Sequence, residues 1–160
     1  MLSVTLIAVG KLKEKFYLAA VEEYAKRLAA FCKFSLIELP EQRLPDDPSP
    51  AQIAAGLAAE AALIEARRPK NAWFCVFTPE GKTLSSEAFA QRLAQVKTEG
   101  KSSLCFLIGS SFGIDPRIKA QADFRLSFGP MTFPHHLVRV MALEQLYRAG
   151  AIQAGTKYHK

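Results

Sequence analysis

The chain has little of what staples a small secreted domain or builds a metal centre. Its 160 residues hold three cysteines, Cys32, Cys75 and Cys105. The number is odd, no C-x-x-C occurs, and each cysteine sits among apolar neighbours, so neither a disulfide framework nor a zinc site is expected. Small buried hydrophobes in a reducing cytosol fit better. No apolar run approaches the roughly 18 residues of a membrane span. The start, MLSVTLIAVG, has no basic region and is broken by Lys11, so it reads as a first strand rather than a signal peptide. Nucleotide-binding glycine signatures are missing too. Gly81-Lys82-Thr83 would end a phosphate loop, but Val76 stands where its first glycine belongs, and G-x-G-x-x-G is absent. Adjacent His135 and His136 lack the four-residue spacing of a helical zinc pair.

What is present is ordinary for a globular chain. Hydrophobic residues make up 49% and charged residues 22%, enough for one core without external support. With no repeats, low-complexity stretches or linker, residues 1–160 read as a single domain. The net charge of +6 is compatible with a polyanionic partner and equally with a solubilising surface.

Short apolar runs alternate with helical patterns. Strands are expected at 3–9, 34–39, 73–78, 103–108 and 124–128. Helices are expected at 14–30, with Phe16, Ala20, Tyr24, Leu28 and Phe31 on the inner face, at 50–67, 86–98 and 135–153, and as a short piece after Asp115-Pro116. Ser49, Pro50 and Gln52 form a capping-box start. Pro79 to Lys82 reads as a turn. Five βα units with continuous apolar strands predict an α/β domain: a mainly parallel five- to six-stranded sheet flanked by helices.

Ligands in such folds bind beyond the carboxyl ends of strands, which singles out residues 77–82, 109–113 and 128–134. Gly109 and Gly113 bracket a loop that either admits a ligand close to the backbone or is a plain strand-to-helix turn. Phe128 to Pro134 is apolar, yet Gly129, Pro130 and Pro134 keep it from continuing as strand or helix. Its backbone groups need partners. A flat aromatic ligand such as adenine would supply them; packing into the core or a subunit interface is the alternative. The last helix carries His135 and Arg139 on one face. It is apolar around more than one stripe, which calls for a second partner such as another subunit. The tail, Lys157-Tyr158-His159-Lys160, is either unstructured or an RNA contact.

These segments together resemble the RlmH family of SPOUT methyltransferases. The resemblance runs through Val9-Gly10-Lys11-Leu12-Lys13, Gly81-Lys82 with Ser85-Ser86-Glu87, and Leu107-Ile108-Gly109. It is densest in Met131-Thr132-Phe133-Pro134-His135, Arg139-Val140, Glu144-Gln145, Tyr147-Arg148-Ala149 and Tyr158-His159-Lys160. It implies a C-terminal trefoil knot, a cytoplasmic homodimer with its active site at the subunit interface, and S-adenosyl-L-methionine as cofactor. The implied reaction is methylation of N3 of a pseudouridine in 23S rRNA, in the helix 69 loop of the assembled 70S ribosome. Cofactor positions carried over are Phe77, Gly109, Phe128, Gly129, Pro130, Met131, Thr132 and Phe133. Where the family has two glycines after the fourth strand, this chain has Gly109-Ser110. A left-handed backbone there would strain Ser110; its hydroxyl would otherwise be free for cofactor or RNA.

Methyl transfer to a protonated nitrogen needs alignment and a proton acceptor. Arg139 is a candidate for stabilising negative charge or gripping phosphate. His159 and His135 are candidate acceptors, although His135 at a helix start more often bonds nearby backbone. Arg148, Lys157, Tyr158, His159 and Lys160, with Arg139, form the expected RNA-contacting set. The rival readings are a non-catalytic ribosome-binding or assembly factor and a related knotted tRNA methyltransferase.

Overall fold

The computed structural model describes residues 1–160. Alternation along the strands divides the side chains between two cores. In β1 (Ser3–Val9) Val4 and Leu6 face one core while Ile7 and Val9 face the other. Likewise Trp73, Cys75 and Phe77 of β3 (Trp73–Lys82) oppose Phe74 and Val76. In β4 (Ser103–Ile108) Leu104, Phe106 and Ile108 oppose Cys105 and Leu107. Strands apolar on both faces must be covered on both. With β2 (Lys33–Leu39) and β5 (Phe124–Leu126) they form a five-stranded, all-parallel sheet in the order β2-β1-β4-β3-β5.

One face is covered by α1 (Lys15–Leu28), α3 (Ser86–Thr98) and α5 (His135–Gln153), whose Val21, Leu93 and Leu146 share a core with the even-numbered side of β1. The other is covered by α2 (Pro50–Arg67) and α4 (Pro116–Gln121) through Ala61, Ile64 and Ile118. The capping box at α2 forms as expected: Gln52 N donates to Ser49 Oγ at 3.1 Å, and Ser49 N to Gln52 Oε1 at 2.8 Å.

Three local expectations change. Phe16 is 66% exposed; α1 turns Val21 and Leu28 inward, with Tyr17 and Tyr24 packed beside them. Residues Pro79 to Lys82 are a bulged continuation of β3 rather than a turn: after a register shift Lys82 pairs with Leu126. Gly81 is required there, because a Cβ would lie 2.8 Å from the backbone of Arg125 and Leu126. Finally, β5 stops at Leu126 instead of Phe128, where Ser127 N donates to the Lys82 carbonyl at 3.0 Å.

The connection from β5 to α5 positions the site. It leaves the sheet edge, crosses the carboxyl ends of β3 and β4, and delivers His135 to Gly10 at the end of β1. Strand order reverses between β1 and β4, so the crossing lies over a topological switch point.

Candidate active site

The three strand-end segments converge. Residues 77–79, 108–111, 113–114, 126–129 and 131–135 line one cavity of about 530 Å³, within the roughly 300–1,000 Å³ of small-molecule sites. Of the carried-over cofactor positions, Phe77, Gly109, Phe128, Gly129, Met131, Thr132 and Phe133 line it, and Pro130 does not. Phe128 stacks on Phe77 with ring centres 5.2 Å apart. The irregular segment is held by Ser127, whose hydroxyl donates to the Pro79 carbonyl at 3.0 Å and accepts from Gly129 N at 3.0 Å. Gly129 has φ 110°, open to glycine alone at little cost. Met131, 77% exposed, stands at the mouth.

The wall chemistry suits a nucleoside carrying a charged tail. Apolar surfaces from Phe128 and Ile108 stand beside the polar side chains of Thr78, Ser110 and Thr132. At Gly109 any Cβ would overlap the Gly113 carbonyl and approach Ile114 Cγ1 to 2.6 Å, so the loop closes only around glycine. These features fit S-adenosyl-L-methionine: stacking surface for a base, and polar groups for its edge.

Ser110 is not strained, because Asn71 is the only non-glycine residue with positive φ. Nor is its hydroxyl free. It donates to Glu60 Oε1 at 2.8 Å, while Glu60 Oε2 accepts from Gln42 N at 2.9 Å. Next to it, Ser111 N and Oγ both donate to Glu41 Oε1, at 3.2 and 2.6 Å. Sequence reasoning passed over both carboxylates. Glu60 carried a usable signal, as the one acid in the run Gly56 to Ile64 on an alanine-rich helix, for an acid is seldom buried without a reason.

Arg139 is not where direct RNA or substrate contact would put it. It is 1% exposed and lies outside the cavity wall. Its guanidinium donates to Glu38 Oε2 at 2.6 Å and to the Gly10 carbonyl at 2.9 Å. Periodicity alone placed it on the His135 side of the helix and could not show that this side was covered. His135 does line the cavity, but the expected bond to nearby backbone is absent: α5 has no side-chain cap, and Nε2 packs about Gly10 without a partner. Burial, with His136 alongside, pushes the His135 pKa below its usual value.

The tail is folded back rather than loose. Tyr158 Oη donates to Glu144 Oε1 at 2.9 Å, and burial together with this carboxylate raises the phenol to about 12. Arg148 chelates Glu144 at 2.6–3.3 Å and lies over the Tyr158 ring. His159 Nε2 is 2.8 Å from Glu87 Oε1. Arg148, Tyr158 and His159 therefore turn their polar groups onto α3 and α5, whereas Lys157 and Lys160 are exposed. None of the five lines the cavity.

Comparison with known proteins identifies a family and a shared fold. A family profile described as "Predicted SPOUT methyltransferase" matches residues 2–159. The chain is 44% identical over 160 residues to a ribosomal RNA large subunit methyltransferase H from Moorella thermoacetica, covering 100% of both. It is 42% identical over 159 residues to the protein of that name from Leuconostoc citreum, covering 99% of this chain and 100% of the relative. In fold it is similar to the tRNA (m1G37) methyltransferase from Aquifex aeolicus, with TM-score 0.55 and 13% identity, over 98% of this chain and 73% of that one.

Proposed function

The chain belongs to the SPOUT methyltransferase family, and from that premise we propose that it transfers a methyl group from S-adenosyl-L-methionine to large-subunit ribosomal RNA. The observation that carries this reading is the convergence of residues 77–79, 108–111, 113–114, 126–129 and 131–135 on one cavity. Full-length similarity to relatives named ribosomal RNA large subunit methyltransferase H supports the choice of substrate. We take the target to be N3 of a pseudouridine in the helix 69 loop of 23S rRNA, within the assembled 70S ribosome in the cytoplasm. We read the crossing of residues 127–135 over the strand ends as the threaded part of a trefoil knot.

When bound, the cofactor supplies an electrophilic methyl group on its sulfonium. The protein's own groups divide the remaining work. Phe77, Phe128 and the segment through Phe133 hold the nucleoside end, and Gly109 lets it approach the backbone. His135, which lines the cavity and is held largely neutral by the burial that lowers its pKa, accepts the proton that leaves N3. Arg139 acts on this step by position: it fixes the Gly10 carbonyl, and His135 packs on Gly10. Lys157 and Lys160 are free to meet phosphate. In a homodimer, the exposed Phe16 and Leu18 of α1 and the half-buried Leu137 and Met141 of α5 are the apolar surface available to a second copy.

The tRNA-directed alternative lacks the full-length similarity that supports the ribosomal substrate. The test is incubation of ribosomes lacking the modification with protein and labelled cofactor, followed by mass mapping. Label at the helix 69 pseudouridine is expected. Label only in tRNA would refute the substrate, and no cofactor binding by calorimetry would favour a non-catalytic ribosome-binding factor.

A further inference from the structure

Two adjacent serines of the cavity loop are each held by a different carboxylate. Ser110 is tied to Glu60 of α2, and Ser111 to Glu41 of the segment after β2. Glu60 also accepts from Gln42 N, so a single carboxylate joins α2, the 40–44 segment and the cavity loop. Glu60 is 4% exposed and faces no cation within ion-pair distance. A buried acid without a cation is a poor stabiliser, because desolvation opposes its charge. As an orienting group it is specific: both oxygens are used, each on a different segment.

The loop responds as a unit. Ser110 bridges Gly113, and the Gly113 carbonyl fills the space that a Cβ on Gly109 would need. Gly109, Ser110, Ser111 and Gly113 all line the cavity. Displacing Ser110 therefore moves two glycine walls together. We propose that Glu60 is a positioning residue for the cofactor, setting through Ser110 the shape of the 109–113 loop against which the cofactor binds. This rests on reading the cavity as the cofactor site.

The test is calorimetric titration of the full chain with S-adenosylhomocysteine, with thermal unfolding of each variant alongside. Glu60→Ala leaves the Ser110 hydroxyl and Gln42 N–H unpaired and should weaken binding about tenfold or more. Glu60→Gln can still accept from Gln42 and donate to Ser110, and should bind within about threefold of the unaltered chain. Ser110→Ala should weaken binding in the same direction as Glu60→Ala, and it decides the matter if Glu60→Ala fails to fold. In turnover assays the cofactor KM should rise while kcat at saturation is held. Binding by Ser110→Ala within twofold of the unaltered chain, or equal loss in Glu60→Gln and a folded Glu60→Ala, overturns the proposal. Failure of the unaltered chain to bind S-adenosylhomocysteine overturns the cofactor reading beneath it.

Discussion

Replacing Arg139 by methionine separates a brace from an RNA contact. Methionine keeps much of the side chain's length but removes its charge and donors. The Gly10 carbonyl then loses its buried donor, a loss of about 1–3 kcal/mol. Glu38 loses its ion partner, but its side chain is 38% exposed and water replaces part of the interaction. The total should therefore be about 2–3 kcal/mol, below the ~3–5 kcal/mol for breaking a fully buried pair. The single tryptophan, Trp73, is 8% exposed and reports unfolding by fluorescence. With a urea m-value of ~2 kcal/mol/M, the midpoint should drop by about 1 M or more. Methylation should fall as well under conditions where the variant is folded, because His135 loses its support. If Arg139 instead gripped RNA from the surface, turnover would collapse with the midpoint unmoved. That pattern, or an unchanged midpoint with unchanged turnover, would refute the brace.

Further outcomes follow from other parts of the molecule. Gly109→Ala should abolish S-adenosylhomocysteine binding in calorimetry, since its Cβ overlaps the Gly113 carbonyl; retained binding would remove the loop from the site. Ser49→Ala breaks the capping box of α2 and should cost about 1 kcal/mol in urea unfolding. Hydrogen bonding from Lys119 holds the Glu80 carboxyl at about 2, below its ordinary 4.5. An acid whose pKa is depressed on folding adds stability above pH 4.5 that is lost as pH falls toward 2. Lys119→Met should return the Glu80 titration, followed by NMR, toward 4.5 and flatten that acid limb. Deleting residues 157–160 should cut methylation of ribosomes while leaving the far-ultraviolet circular dichroism of the fold intact; unchanged turnover would show the tail to be idle.

Much of the architecture was legible because its signals are local. Continuous apolar runs at 3–9, 73–78 and 103–108 follow from burial on both sheet faces, and the Ser49 capping box needs only neighbouring residues. The misreadings lie where distant contacts decide. Phe16 satisfies helical spacing as well as Tyr17 does, and only the packing of α5 against α1 selects the inner face. Pro79 to Lys82 carries turn residues, but pairing with Leu126 and the close backbone at Arg125 draw it into the sheet.

The same division explains the site. Its walls were readable because an apolar segment broken by Gly129, Pro130 and Pro134 has backbone groups to satisfy and no regular element in which to satisfy them. Its supports were not, because a charged side chain in a sequence does not declare its partner. Arg139 and Glu60 each lie on a helix and each bond to the segment following a strand, at Gly10 and at Ser110. One steadies the wall beneath His135, the other the loop opposite. A cavity between irregular segments has no sheet hydrogen bonds to hold its shape, so buried charge-assisted bonds from the flanking helices do that work. A buried charge on a helix flanking a strand-end cavity is therefore better read first as a support for the binding loops, and only when its partners are found wanting as a reactant.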